Sequence, residues 1–370
     1  MAATDFGALS DARKKVWAKK AWQAGRDDSF FFSHGFMSKS ENDFNNVIQR
    51  VTSLTKTEGG LECIMQLVAD LEGDGVAGDN ELTGNEEQMF NDTQKIQIDQ
   101  LRHAVRSKGK VSEQATVLRF RELGRGKLGF WIGDKVDELC FLTASGRAFT
   151  LNTDGTTRTN SQLSQLNFAN DVAAASTNRI LFQGTATAED ELTTSDTVTW
   201  DFLVTAHAKA KRAKMRPIRS KGKGYYVVVL STEQCRDLKK SSDWKTLTSR
   251  AKPRSDNHPL FTTSEIMVDG LVIHEHNKVF NTLGLTSTNK WGSSGTVDGA
   301  QALMMGAQAI GFAQIGDMDW LEADTDDYGN RQGLGVARMF GTKKPQWKTS
   351  ASQSTAEDFG VFSLKTAAAA

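Results

Sequence analysis

The chain has 370 residues, with 45 Lys+Arg balanced by 45 Asp+Glu, so its formal net charge is zero and nucleic acid could be gripped only through local patches. About 38% of residues are hydrophobic, enough for a real core, and only 4 prolines accompany 32 glycines, which excludes a proline-rich linker and favours a turn-rich body. Cys63, Cys140 and Cys235 are far apart and form no CxxC pair, so buried free thiols in a reducing compartment are expected and a cysteine zinc site is not. The N-terminus lacks a signal pattern, and no apolar run approaches the roughly 18 residues of a membrane span. A soluble protein made inside a cell is therefore expected.

Residues 1–55 read as an arm. Asp11 to Ala24 has helical spacing, with Val16, Trp17, Ala21 and Ala24 near one face and Arg13, Lys14, Lys15, Lys19 and Lys20 around it. Phe30, Phe31, Phe32 and Phe36 form an apolar patch that something must cover. The arm could dock on its own domain, lie on a neighbouring subunit, or face nucleic acid.

Residues 56–110 read as a two-stranded excursion. Leu61 to Leu71 is one strand-like run and Lys95–Asp99 alternates clearly. The segment from Leu71 to Glu87 lies between them; it is acidic, glycine-rich and too polar to build a core. A hairpin this long is marginal alone and should pack on another surface.

A long helix is predicted over 112–143, entered at Ser112, with Leu128, Ile132, Val136, Leu139 and Thr143 as its apolar stripe. Gly124, Gly126, Gly129 and Gly133 each cost roughly 1 kcal/mol against alanine, so close packing or a bend is expected there. A helix is also possible over Gln162 to Ala175, and another is predicted over Asp196 to Lys214. Tyr225–Leu230 is a continuous apolar run typical of a buried strand. It leads into Ser231-Thr-Glu-Gln234, a capping box opening a helix to about Lys240. Asp269-Gly270 suits a type I′ turn between Ile266 and Ile273. Gln301 to Ala313 reads as a small-residue helix, and Leu334–Phe340 and Phe359–Leu364 as closing strands. The order implies an α+β fold without internal repeats.

Candidates for chemistry are weak. Asp70, Glu72, Asp74, Gly75 and Glu81 fall on EF-hand positions, but no amphipathic helix follows Glu81, and a solvated acidic loop fits better. Gly73-x-Gly75-x-x-Gly78 opens no helix that could take a pyrophosphate, and Gly124-Arg-Gly126-Lys127 lacks the first glycine and the Ser/Thr of a P-loop. His274 and His276 share a strand face without a convincing third ligand, and Asp324, Asp326 and Asp327 read as a turn. No nucleophile elbow is present. No catalytic, cofactor or metal site is expected. Lys209, Lys211, Arg212, Lys214, Arg216, Arg219, Lys221 and Lys223 crowd one stretch without aromatics, which suits non-specific phosphate contact or a solvated helix end.

Taken in order, several short motifs resemble the major capsid proteins of tailed bacteriophages, of the N-four podovirus type. They are Leu71-Glu-Gly-Asp-Gly with Leu82-x-Gly84-Asn-Glu-Glu87, Ile98-Asp-Gln-x-Arg102-His103-Ala-Val, and Leu128-x-x-Trp131 through Asp137 to Phe141. They continue in Tyr226-Val-Val-Val-Leu-x-x-Glu-Gln with Asp237-Leu and Asp243-Trp244, Met305-Gly-Ala-Gln-Ala309, Asp327-Tyr-Gly-Asn330 and Asp358-Phe-Gly-Val361.

The resemblance implies a Hong Kong 97-type capsid fold. Its parts would be an N-terminal arm (1–55), an extended loop (56–110), a peripheral domain with a spine helix (111–190), an axial domain (191–330) and a return to the peripheral domain (331–370). It implies pentamers and hexamers closing an icosahedral shell around double-stranded DNA, with a separate scaffolding protein and a portal as partners. Leu71, Leu82, Met89, Phe90, Arg102, Trp17 and Phe31 are then expected to contact neighbouring subunits. Lys14, Lys15, Lys209, Lys211, Arg212 and Lys214 are expected to face DNA. The competing readings are a calcium-binding or enzymatic domain using residues 70–87, and a non-specific DNA-binding protein.

Overall fold

The computed structural model describes residues 20, 29–38, 40–51, 60–69, 71–111, 120–220, 222–250, 266–323, 330–348 and 353–368. The reading of Asp11–Ala24 as a helix, the entry at Ser112, and Asp324, Asp326 and Asp327 lie outside these residues.

In chain order the strands are β1 (Ile48–Val51), β2 (Glu62–Val68), β3 (Asn91–Gln97), β4 (Asp99–Arg106), β5 (Ile180–Phe182), β6 (Ile218–Ser220), β7 (Lys223–Leu230), β8 (Ile266–Val268), β9 (Leu271–Glu275), β10 (Gly299–Met305), β11 (Ile310–Ala323), β12 (Gly333–Lys343), β13 (Gln346–Trp347), β14 (Glu357–Asp358) and β15 (Val361–Ala367). A four-stranded sheet runs β1-β11-β12-β4, and a seven-stranded sheet runs β5-β15-β10-β7-β9-β8 with β6 on β7. The remaining strands form the two-stranded pairs β13-β14 and β2-β3.

The long helix, Phe120–Ser145, packs across β12 and β4. Gly124 supplies the close packing expected of it, because a Cβ there would lie 2.9 Å from Leu334 Cδ1. Leu128, Ile132, Val136 and Leu139 join Phe312, Leu334, Val336 and Phe340 in the main core. The helix ends two residues beyond the predicted stop. Gly146 takes φ +66°, its N–H bonds Thr143 O, and the Arg147 N–H bonds Leu142 O, a Schellman closure that glycine makes possible.

The seven-stranded sheet is buried on both faces, which explains the unbroken apolar run in β7. Val227 and Val229 face the main core, whereas Tyr226, Val228 and Leu230 face a second core built on Phe202, Leu203, Ala206 and Ala210. Those four residues belong to the helix Trp200–Arg212, which the Thr199 side chain caps. The Ser231–Gln234 capping box forms, and Gln234 Nε2 also reaches Ala300 O and Thr366 Oγ1. Asp269 (φ +49°) and Gly270 (φ +78°) make the predicted turn between β8 and β9.

Two expectations are corrected. Gln301 to Ala313 is not a helix but the end of β10, a turn, and the start of β11. Its residues alternate between the two cores, Ala302 and Met304 against Leu303 and Met305, and Gln308 turns the chain at φ +58°. Leu303, Met304 and Met305 are fully buried on alternate faces, so this segment is a central strand between two packed layers. Gln162 to Ala175 is likewise only two 3-10 turns, Leu163–Gln165 and Asn167–Asp171, separated at Leu166, whose φ −59° and ψ 135° are not helical.

The aromatic patch near residue 30 is covered by the chain itself. Phe30 and Phe31 form part of a one-turn helix, Phe30–Ser33, and pack on Phe141 with ring centroids at 5.7 and 4.8 Å. Asp137 holds this segment by accepting bonds from Ser29 Oγ at 2.7 Å, Phe30 N at 2.6 Å and Phe31 N at 3.5 Å. Phe31 is 0% exposed, so its expected contact with a neighbouring subunit is overturned: desolvation within its own core takes its whole surface.

His274 and His276 border the same patch, with Phe30, His34 and Phe36 around His274 and Phe141 stacked on His276. Burial pushes both imidazoles down to about 4, helped by His34 for His274 and by Lys278 for His276, whereas nearby Asp134 acts on His276 in the opposite direction. Burial raises Asp137 to about 6 against the pull of its hydrogen bonds and of Lys278.

The root of the β2-β3 hairpin is seated on the four-stranded sheet. Cys63, Met65 and Ile96 pack on Ala313 and Ile315, with Ile98 and Trp347 in the same cluster. Two glycines make room for it. At Gly341 a Cβ would stand 2.0 Å from Gln97 O, and at Gly311 it would stand 2.7 Å from Met65 Sδ and 2.8 Å from Ile96 Cδ1. The hairpin therefore has a core beneath its root. The next strand, β4, pairs with β12 across the full length Asp99–Arg106.

Two outcomes follow for stability. Gly341→Ala drives a Cβ into backbone and should cost about 1–3 kcal/mol in urea unfolding, whereas Gly311→Ala meets flexible side-chain ends and should cost less. Stability should also fall with acid. The unfolded chain protonates its histidines near 6.5 while the folded one resists until about 4, so their stabilisation is whole above 6.5 and lost towards 4. Each histidine accounts for roughly 3 kcal/mol over that range. Asp137 acts oppositely between about 6 and its ordinary 3.8, offsetting one of the two. Urea midpoints measured from pH 7 to pH 4.5 should decline, and His274→Gln should flatten the decline.

Candidate assembly interface

Beyond Val68 and Asn91 the hairpin leaves the body. The last paired backbone bond runs from Ala69 N to Phe90 O, and no strand forms among the described residues between them. Leu71, Leu82 and Met89 are 62%, 60% and 65% exposed, while Phe90 is half-buried. On the root, Cys63 and Met65 point inward, and Ile64 and Val68 on the opposite face stay exposed. Among the described residues, three large apolar side chains thus stay exposed on an otherwise polar tip.

The tip nevertheless has local order. The Glu87 carboxylate accepts the N–H of Glu72 at 2.7 Å and of Gly73 at 2.8 Å, tying the two limbs together. These two backbone bonds hold the Glu87 carboxyl below its usual range although it is fully exposed. Asn80 Nδ2 bonds Ala77 O, and Asn85 Nδ2 bonds Glu81 O. Gly75, Gly78 and Gly84 turn the chain at positive φ. Glu72, Asp74, Asp79, Glu81, Glu86 and Glu87 lie on this segment with no lysine or arginine among them.

The other expected site residues are scattered. Arg102 is exposed on β4, at the edge of the four-stranded sheet. Lys209, Lys211, Arg212 and Lys214 are exposed at the end of the helix Trp200–Arg212, where positive charge complements the helix dipole. Trp17, Lys14 and Lys15 lie outside the described residues.

Sequence reasoning missed the groove alongside β4. It has a volume of about 1110 Å³ and is lined by β4, by Trp131 and Lys135 of the long helix, by residues 158–163 and by Leu321. The His103 ring stacks on Trp131 with centroids 4.4 Å apart. The Arg102-His103 and Leu128-x-x-Trp131 motifs were the available signal, but only the fold brings them together.

Among the described residues no three His, Cys, Asp or Glu side chains converge where a metal ion could sit, and no helix is long and apolar enough to cross a membrane. The cysteines are free and buried, and burial pushes the thiol of Cys235 up to about 11 and that of Cys140 still higher.

A family described as phage capsid protein matches residues 3–370. The major capsid protein of Pseudomonas phage KPP25 is 37% identical over 373 residues, covering 99% of this chain and 98% of that protein. The capsid of Ralstonia phage GP4 superposes with a TM-score of 0.75 at 28% identity, covering 92% of each chain. The fold also matches the capsid of cyanophage Pam1, with a TM-score of 0.71 at 18% identity over 99% of this chain and 100% of that one. The chain belongs to the phage capsid protein family.

Proposed function

We propose that this protein builds a phage head by packing many copies of itself through the projecting β2-β3 loop, without catalysis. In this reading the chain has the Hong Kong 97-type architecture. The long helix is the spine of a peripheral domain, the seven-stranded sheet with its helices is the axial domain, and the loop lies across an adjacent subunit. Copies join heterologously into pentamers and hexamers of an icosahedral shell.

The observation that carries it is the contrast within one hairpin. Its root is buried against its own sheet by Cys63, Met65 and Ile96, while its tip exposes Leu71, Leu82 and Met89. A rigid root aims the tip at a fixed place, so little entropy remains to be lost when a neighbour receives it. Zero net charge keeps long-range repulsion low between many identical copies.

Production in a host bacterial cytoplasm, a separate scaffolding protein, a portal and enclosed double-stranded DNA all belong to this proposal. The exposed basic end of the helix Trp200–Arg212 supports an inward, DNA-facing surface. Lys209, Lys211, Arg212 and Lys214 would neutralise phosphates there without reading sequence.

Deleting Gly73 to Glu87 should leave the unfolding transition intact, because that segment adds nothing to the buried clusters. The same deletion should abolish shells in negative-stain images and light scattering. Normal particles from the deleted chain would sink the loop's role. Calcium binding by a stable monomer, or tight salt-sensitive duplex binding by one, would favour the competing readings.

A further inference from the structure

We propose that the open side of the long helix, centred on Leu123 and Phe130, is a docking surface for the chain's own N-terminal segment, residues 11–24. The inference adds to the assembly reading above and does not depend on it.

The helix Phe120–Ser145 is covered unevenly. With about 100° of turn per residue, Leu128, Ile132, Val136 and Leu139 fall on one side, which the main core takes. Leu123, Phe130, Asp137 and Phe141 fall on the opposite side, all within about 40° of one line. The C-terminal half of this second stripe is closed. Phe141 is 1% exposed against the rings of Phe30 and Phe31, and Asp137 accepts bonds from Ser29, Phe30 and Phe31. The N-terminal half is open, with Leu123 and Phe130 each 50% exposed. Gly126 lies between them, and a Cβ there would meet nothing within 4 Å. Glycine weakens a helix, and among the described residues no contact at this position requires it. A dent between two large apolar side chains is a surface into which the ridge of a second helix packs.

Continuity of the chain names the occupant. The segment that begins at Ser29 is already held by Asp137 on this same stripe. Phe130 lies seven residues back along the helix from Asp137, a rise of about 10 Å, and Leu123 lies about 21 Å back. The link from residue 24 to Ser29 reaches up to about 17 Å when extended, and residues 11–24 wound as a helix measure about 21 Å. The chain before Ser29 is therefore long enough to follow the open stripe to its end.

Composition agrees. Val16, Trp17, Ala21 and Ala24 lie near one face at helical spacing, with Arg13, Lys14, Lys15 and Lys19 around it. A helix this short is marginal in water unless its apolar face is buried. Ala21 and Ala24 permit close approach, and the Trp17 ring enters the dent at Gly126. The docking is apolar, not ionic. Lys127 stands exposed beside the stripe and Asp134 is bonded to Lys278, so the segment's cations gain no partner there and face outward. Lys20 is exposed. Trp17 then meets its own helix instead of a neighbouring subunit. The same segment of a second copy is the rival occupant. It lacks the short tether at Ser29, which gives the chain's own segment an effective concentration on the order of millimolar.

Amide hydrogen exchange on the dilute full-length chain tests the docking. The unaltered chain is compared with Leu123→Ser with Phe130→Ser, and with Gly126→Leu, which fills the dent. We expect residues 11–24 of the unaltered chain to exchange at least about tenfold more slowly than the free peptide of that sequence. Both variants should lose this protection while amides 136–145 keep theirs. Thermal unfolding checks that each variant folds, and Leu123→Ala with Phe130→Ala serves as a milder form. Free exchange of residues 11–24 in the unaltered chain would overturn the proposal, as would undiminished protection in the folded variants. A cysteine pair, Ala21→Cys with Lys127→Cys, separates the two occupants. Oxidation should give an intrachain bond that migrates as a monomer in non-reducing electrophoresis, whereas a dimer band would give the stripe to a second copy and overturn the assignment.

Discussion

Everything distinctive about this protein depends on how closely the hairpin root lies on the four-stranded sheet. The Gln97 carbonyl sits where a Cβ of residue 341 would be, and Met65 and Ile96 crowd the position a Cβ of residue 311 would take. At 341 only glycine allows that approach, because backbone occupies the space of a Cβ, whereas at 311 the obstacle is flexible side-chain ends. The consequence is mechanical. A two-stranded ribbon is marginal by itself, but one clamped against a sheet behaves as a rigid arm. Its tip can then be left polar, glycine-rich and unsatisfied, because its direction is set elsewhere.

A second anchoring operates at the other end of the fold. The Asp137 carboxylate, raised in pKa by burial, gathers the N-terminal segment through Ser29, Phe30 and Phe31, and two neutral histidines complete the wall. Burying a carboxylate is costly unless its acceptors are used, and here they are. The arrangement ties the chain before β1 to the long helix and makes this region the acid-sensitive part of the body. The two anchors hold different parts: one ties the N-terminal segment to the long helix, the other seats the root of the projecting hairpin on the four-stranded sheet.

Glycine has opposite meanings within this one chain. Gly311 and Gly341 permit contact, Gly146 closes a helix, and Gly75, Gly78 and Gly84 bend a loop at positions where a Cβ would meet nothing within 4 Å. Gly126 on the long helix also faces open space, so the sequence pattern of four helical glycines does not report one common cause. Likewise the small residues after Gln301 looked helical by composition and became strand. Two cores, one on each face of β10, bury its side chains alternately there. Burial on both faces erases the periodicity by which strands are usually recognised.

The sequence alone determined what depends on neighbours in the chain. It specified the capping box at Ser231, the type I′ turn at Asp269-Gly270, the apolar stripe of the long helix, the buried strand at Tyr225–Leu230 and the projecting acidic loop. Those rest on side chains satisfying backbone groups a few residues away, or on periodic hydrophobicity. The tertiary structure decided what depends on distant partners. It placed Phe31 inside the body instead of on a neighbour, gave the hairpin root a core through Gly311 and Gly341, and brought His103, Trp131, Arg102 and Leu321 around one groove. No local pattern encodes these, because burial and proximity are fixed only when the whole chain has chosen which surfaces to hide.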